Sequence, residues 1–159
     1  MNTAILIDVS NLSYCVGQVH KKKVDYEKLI TDCRQRYGED LTIIAYVKQK
    51  TNEAQGFVKF LQGLNILVKI NTSRSTYFSW SCGMAIDAVQ MSKMTNTVVL
   101  CSSDRGLKPL ITWLREQGHA VDIYAEGIPF DLVSVANKTF FNKDILGDDV
   151  PQKENSEAT

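Results

Sequence analysis

At 159 residues, with 44% hydrophobic and 23% charged residues, the chain has the size and composition of one ordinary globular domain rather than a disordered segment. Its 18 lysines and arginines are matched by 18 aspartates and glutamates, which excludes a protein that traps nucleic acid through bulk charge; a polyanion must be held by a local patch or through an ion. The start, Met1-Asn2-Thr3 followed by Ala4-Ile5-Leu6-Ile7, lacks the basic segment and long apolar core of a signal peptide, and no apolar run approaches the roughly 20 residues of a membrane span. A cytoplasmic protein without membrane contact is expected. Cys15, Cys33, Cys82 and Cys101 have neither the spacing of a zinc site nor that of a redox pair, and read as free thiols in a reducing compartment.

The first predicted strand covers residues 4–7 and runs into Asp8-Val9-Ser10-Asn11. Lys21-Lys22-Lys23 reads as a solvated basic loop. A helix is predicted over residues 25–37, with Tyr26, Leu29, Ile30 and Cys33 at three-to-four spacing. A strand at 43–47 and a helix at 54–64, carrying Phe57, Phe60, Leu61 and Leu64, come next. After a strand at 66–70, residues 73–81 form a hydroxyl-rich segment with Arg74 and the aromatics Tyr77, Phe78 and Trp80. It reads as a lid, a protein interface or a platform for stacked bases. A helix over 84–94, a strand at 98–101 followed by Ser102-Ser103-Asp104, a helix over 107–117 and a strand at 121–125 complete the alternation. Gly38, Gly63 and Gly118 fall where helices should stop. From Gly147 the chain is polar to its end and reads as a disordered tail over residues 147–159.

Continuous apolar strands alternating with helices specify a three-layer α/β domain over residues 1–146, with a five-stranded, mostly parallel sheet and helices on both faces. In such sheets ligands bind beyond the carboxyl ends of the strands, where strand order reverses. Asp8 and Asp104 each follow an apolar strand and lie at that edge, although aspartate is also a common helix N-cap. Asp87 falls inside the apolar stripe formed by Met84, Ala88, Met91 and Met94 or Thr95, where a carboxylate needs a cation, a donor or a proton. Grouped at strand ends, these three carboxylates suit magnesium or manganese, which prefer oxygen ligands. Asn11 is placed to orient a ligand, and Arg74, Arg105 and Lys108 are candidates for gripping phosphate.

Several of these segments resemble NYN domains, the nuclease-like branch of the PIN superfamily. The opening motif is matched by Ile7-Asp8-Val9-Ser10-Asn11-Leu12, the central helix motif by Met84-Ala85-Ile86-Asp87-Ala88-Val89, and the strand-four motif by Val98-Val99-Leu100-Cys101-Ser102-Ser103-Asp104 with Pro109-Leu110 beyond it. Gly118-His119-Ala120-Val121 resembles the turn into strand five, and Ser134-Val135-Ala136-Asn137-Lys138-Thr139-Phe140 the last motif. The resemblance implies a Rossmann-like parallel sheet and, in many members, metal-dependent RNA cleavage. Asp8, Asp87 and Asp104 would bind Mg2+ or Mn2+, with Asn11 and Ser103 assisting. The chain departs from the family at four positions: Ser81, Gly106 and Asn137 replace acids, and Phe78 replaces a basic residue. Three readings follow. They are an endoribonuclease, attenuated by the lost acids; a catalytically degenerate domain that binds RNA or a nucleotide; and an adaptor for a protein partner or a second copy through the aromatic segment.

Overall fold

In a computed structural model, residues 2–48, 53–71, 75 and 78–152 are described. The elements in chain order are β1 (Thr3–Asp8), α1 (Val9–His20), β2 (Lys22–Val24), α2 (Tyr26–Tyr37), β3 (Leu41–Lys48), α3 (Glu53–Gly63), β4 (Leu67–Asn71) and α4 (Ser81–Met91). They continue with β5 (Thr97–Cys101), a 3-10 turn (Arg105–Leu107), α5 (Lys108–Glu116), β6 (Ala120–Tyr124), α6 (Phe130–Val133), β7 (Lys138–Phe140), a second 3-10 turn (Lys143–Ile145) and β8 (Leu146–Asp149).

The central sheet has six strands in the order β4-β3-β1-β5-β6-β7, and every pairing in it is parallel. Helices cover both sides. The order fixes where a ligand can sit. From β1 the chain builds outward through β3 to β4, then returns to lay β5, β6 and β7 on the other flank of β1. The carboxyl ends of β1 and β5 therefore bound the crevice at the reversal point. β1 and β5 are the most enclosed strands: Ala4, Ile5, Leu6, Ile7, Val98, Val99, Leu100 and Cys101 have no exposed surface. This explains why their sequences are apolar on both faces.

Several features differ from the sequence reading, among them α1, a helix directly after β1 where none was expected, and α4, which begins and ends three residues earlier than the expected helix over 84–94. The sheet has a sixth strand, β7, because Lys138-Thr139-Phe140 pairs with Asp122-Ile123-Tyr124 through the backbone and needs no apolar run. The segment read as a polar tail begins inside β8, which pairs antiparallel with β2: Lys22 faces Asp149, Val24 faces Leu146, and the Val150 N–H donates to the Lys21 carbonyl at 2.9 Å. Part of the basic run read as a loop is thus β2, and Lys22 Nζ lies 2.6 Å from Asp149. Residues 153–159 lie outside the described residues. Finally, Gly38 and Gly118 adopt positive φ after α2 and α5, as a helix-terminating glycine does, but after α3 the left-handed position falls to Asn65 (φ 62°).

A polar bridge docks α2 onto the C-terminal turn. Asp32 accepts hydrogen bonds from Arg36 Nε (2.8 Å) and Asn142 Nδ2 (2.9 Å). Burial alone would raise its pKa, but the bonds, that from Arg36 foremost, hold it below the usual carboxylate range. A depressed folded pKa contributes stability above the unfolded value, about 3.9, and this is lost as pH falls through the folded value. Asp32→Asn is accordingly expected to cost about 1–2 kcal/mol near neutral pH, allowing for the exposed arginine. The gap between variant and wild type in urea unfolding should close on acidification; a gap that widens in acid contradicts the assignment.

Candidate active site

Asp8 ends β1 and caps α1: its Oδ1 accepts the Asn11 N–H at 3.2 Å. Asp104 follows β5 and caps the first 3-10 turn, with Oδ1 accepting the Gly106 N–H at 2.8 Å. Both are therefore true caps, and capping is also what aims them. Both carboxylates are thereby held at the mouth of the reversal-point crevice, Asp8 through Oδ1 and Asp104 through Oδ1 and, from Ser79 and Ser81, Oδ2. Asn11 joins the two sides: its Oδ1 accepts from the Ser103 N–H at 2.9 Å and lies 3.2 Å from Ser103 Oγ. The α1 start is thereby tied to the β5 loop, fixing the separation of Asp8 and Asp104. Behind this bridge the Cys15 thiol lies 3.3 Å from Ser103 Oγ, and all four cysteines are free thiols.

Asp8, Asn11 and Asp104 line one open cleft of about 660 Å3, with Ser10, Tyr14, Lys48, Phe78, Ser79 and Trp80 as its other walls. The two carboxylates differ in character. Burial raises the pKa of Asp8, the backbone bond at Asn11 opposes this, and repulsion from Asp104 raises it further. Asp104 is less buried, and hydrogen bonds from Ser81 Oγ, the Gly106 N–H and Ser79 Oγ outweigh its desolvation and hold it below the usual range. One carboxylate is firmly ionised and the other is held beside it at an electrostatic penalty, a pair that a cation would relieve.

Asp87 is elsewhere. It projects from α4 to the row formed by Asp8, Tyr46 and Lys69, which face one another in register across β1, β3 and β4. Its Oδ2 accepts the Tyr46 hydroxyl at 2.6 Å, and Lys69 Nζ lies 2.8 Å from each of its oxygens. Burial and the Asp87 charge push the Tyr46 phenol far above its ordinary pKa, keeping it a donor. Asp87 is 8% exposed, so the apolar stripe identified a buried carboxylate correctly. Its counter-charge is a lysine, however, and it does not line the cleft. The expected cluster of Asp8, Asp87 and Asp104 is not formed: among the described residues no group of three acidic, cysteine or histidine side chains is placed to hold an ion.

The remaining candidates separate as clearly. Arg105 is exposed and lies 4.0 Å from Asp131, and Lys108 is exposed at the start of α5; neither lines the cleft. Arg74 lies outside the described residues, as does Tyr77. The substituted positions fall in two places. Ser81 Oγ donates to Asp104 Oδ2 at 2.5 Å, and a Cβ added at Gly106 would stand 3.2 Å from Asp104 Oδ1 and 3.7 Å from Ser81. The two positions where the NYN resemblance implies acids, Ser81 and Gly106, thus lie in immediate contact with Asp104. Asn137 is at the opposite edge, where its Oδ1 accepts the Val121 N–H at 2.8 Å at the start of β6. It cannot contribute a metal ligand there.

Sequence reasoning missed Tyr46, Lys69, Lys48 and Tyr14. For Lys69 a signal existed, as a lysine inside the otherwise apolar strand Leu67-Val68-Lys69-Ile70. In the aromatic segment Trp80 packs on Tyr46 with ring centroids 5.2 Å apart, and Phe78 meets Trp80 edge-on at 5.1 Å while lining the cleft.

A crystal structure of a protein of unknown function from Vibrio parahaemolyticus is similar to this fold, with TM-score 0.80 and 20% identity over 92% of this chain and 96% of that one. A nicotinamidase from Staphylococcus aureus is more distant, with TM-score 0.43 and 10% identity over 82% of this chain and 86% of that one. The sequence matches none of the curated proteins. No described helix is long and apolar enough to cross a membrane. The profile of the NYN domain matches residues 2–145, and the chain therefore belongs to the NYN domain family, a nuclease-type family within the PIN-like superfamily.

Proposed function

We propose that this protein is a magnesium- or manganese-dependent endoribonuclease of reduced strength, working from a two-carboxylate centre at Asp8 and Asp104. The observation that carries this reading is the meeting of these two acids, from adjacent strand ends, in one open cleft where burial and the Asp104 charge both raise the pKa of Asp8. The donors fit a hard cation: two carboxylates, with the hydroxyls of Ser79 and Ser81 bonded to one of them. Magnesium is commonly held by one or two carboxylates plus water and substrate phosphate. The ion would supply Lewis-acid polarisation of a phosphate oxygen and offset the charge that develops on it.

The protein's own part is positional. Asp104, firmly ionised, provides the stronger anionic contact, and Asp8 the second. Asn11 keeps their spacing through Ser103. Asp87 acts at one remove, holding Tyr46 beside Asp8. Arg105 and Lys108, exposed beyond the cleft, offer contacts to the departing RNA strand. The domain that carries this centre extends through β8.

Purified protein with manganese should cut single-stranded, structured or transfer RNA, and chelator should stop it. No cleavage of any of the three sinks the reading. A second reading, RNA binding without cleavage, is favoured by one observation: Ser81 and Gly106 occupy the acidic positions that touch Asp104. It expects RNA affinity to be indifferent to chelator and to Asp8→Asn. The first reading also makes a gain-of-function prediction. Ser81→Asp adds a carboxylate next to Asp104 and should tighten manganese binding by about tenfold, since ligand charge sets affinity. Calorimetry showing equal or weaker binding would count against a metal centre at this position.

A further inference from the structure

Two of the cations expected at the site, Arg105 and Lys108, do not line the cleft, whereas Lys48 does. Lys48 is the last residue of β3, two positions beyond Tyr46. Residues two apart on a strand point to one face, so Lys48 leaves the sheet on the side of Tyr46 and Asp8. It lines the cleft with Asp8, Asn11 and Asp104, and Tyr14 and Phe78 are among the same walls. Its Nζ donates to the Ser75 carbonyl at 2.6 Å. A carbonyl orients an ammonium but does not neutralise it. Lys69 has Asp87 at 2.8 Å and Arg105 has Asp131 at 4.0 Å. Among the described residues no carboxylate lies within ion-pair distance of Lys48. Among the described residues the site therefore presents two carboxylates and one cation without a carboxylate partner, in a cleft of about 660 Å3, a size suited to a small ligand or a short stretch of polymer. The complementary ligand carries phosphate for the lysine, reaches the carboxylates through an ion, and has flat faces for Tyr14, 66% exposed, and for Phe78.

We propose that Lys48 is the phosphate-binding residue of the cleft, gripping a backbone phosphate of a single RNA strand next to Asp8 and Asp104. This rests on the ribonuclease reading and deepens it. The competing role for Lys48 is purely structural, tethering the segment at Ser75.

The two roles separate in the salt dependence of binding. A phosphate contact releases a counterion, so its loss lowers the slope of log affinity against log salt; a tether has no such signature. The probe is a fluorescent single-stranded RNA oligomer, titrated with calcium in place of manganese and again in chelator, from low to physiological salt. Lys48→Met is expected to weaken binding by about tenfold and to reduce the slope by about 0.7, one single-strand contact. Lys48→Arg keeps the charge and should keep the slope. Lys59→Met, which removes an exposed lysine on α3, should change neither. If Lys48→Met does not fold, Lys48→Gln takes its place with the same expectation. Weaker binding with an unchanged slope overturns the proposal in favour of the tether, as does unchanged binding. Failure of wild-type protein to bind RNA in either condition overturns the ribonuclease reading as well.

Discussion

Asp104→Asn is expected to lower manganese-dependent RNA cleavage by about a thousandfold, the loss of several kcal/mol of charge stabilisation at the reacting phosphate, at a stability cost of only about 1 kcal/mol. The substitution is nearly isosteric. Asparagine is as good a cap as aspartate, so its carbonyl oxygen can keep the Gly106 N–H that Asp104 now holds at 2.8 Å. The Ser81 hydroxyl, a donor to Asp104 in the native site, can rotate to accept from the new amide. Only the charge disappears, and with it half of the anionic centre. Asp8 would also lose the neighbour that raises its pKa. Cleavage above a tenth of the wild-type rate would mean that the chemistry does not run through Asp104.

Asp87→Asn should do the reverse. Asp87 receives the Tyr46 hydroxyl and the Lys69 ammonium in a site where both Asp87 and Tyr46 are buried. An amide presents one acceptor where the carboxylate presents two, and turns N–H groups towards an ammonium. The expected cost is about 2–3 kcal/mol, below the range for a fully buried pair because Lys69 is half-exposed. For a domain of this size that is a fall in Tm of roughly 4–10 °C. Manganese affinity should stay within about threefold of wild type, roughly 0.7 kcal/mol in binding free energy. A stable variant that had lost the metal would put Asp87 back into the metal centre.

Which parts of this molecule could be read from sequence follows from which forces are local. β1, β3, β5 and β6 are written in continuous apolar runs because they are covered on both faces. Asp25 caps α2 through the Lys28 N–H, as a helix start at that position requires. β2, β7 and β8 escaped notice because they are short and partly polar and are held by backbone pairing, β7 with β6 and β2 with β8 at the far end of the chain. The position of Asp8 and Asp104 was legible because topology alone brings strand ends to one edge. The fate of Asp87 was not, since its two partners come from β3 and β4 and only the register Asp8-Tyr46-Lys69 shows that they share a face. Family motifs aligned three acids; the lysine that separates one of them lies outside every motif. Similarly, the basic position occupied by Phe78 looked like a lost charge, whereas Lys48 reaches the same cleft from another strand.

The most direct test is a calorimetric titration of manganese into wild-type protein, Asp104→Asn and Asp87→Asn. A two-carboxylate centre predicts one ion bound by wild type, binding abolished in Asp104→Asn, and binding retained by Asp87→Asn despite its lower melting temperature. No binding by wild type, or loss of binding in the Asp87 variant while folded, would contradict it.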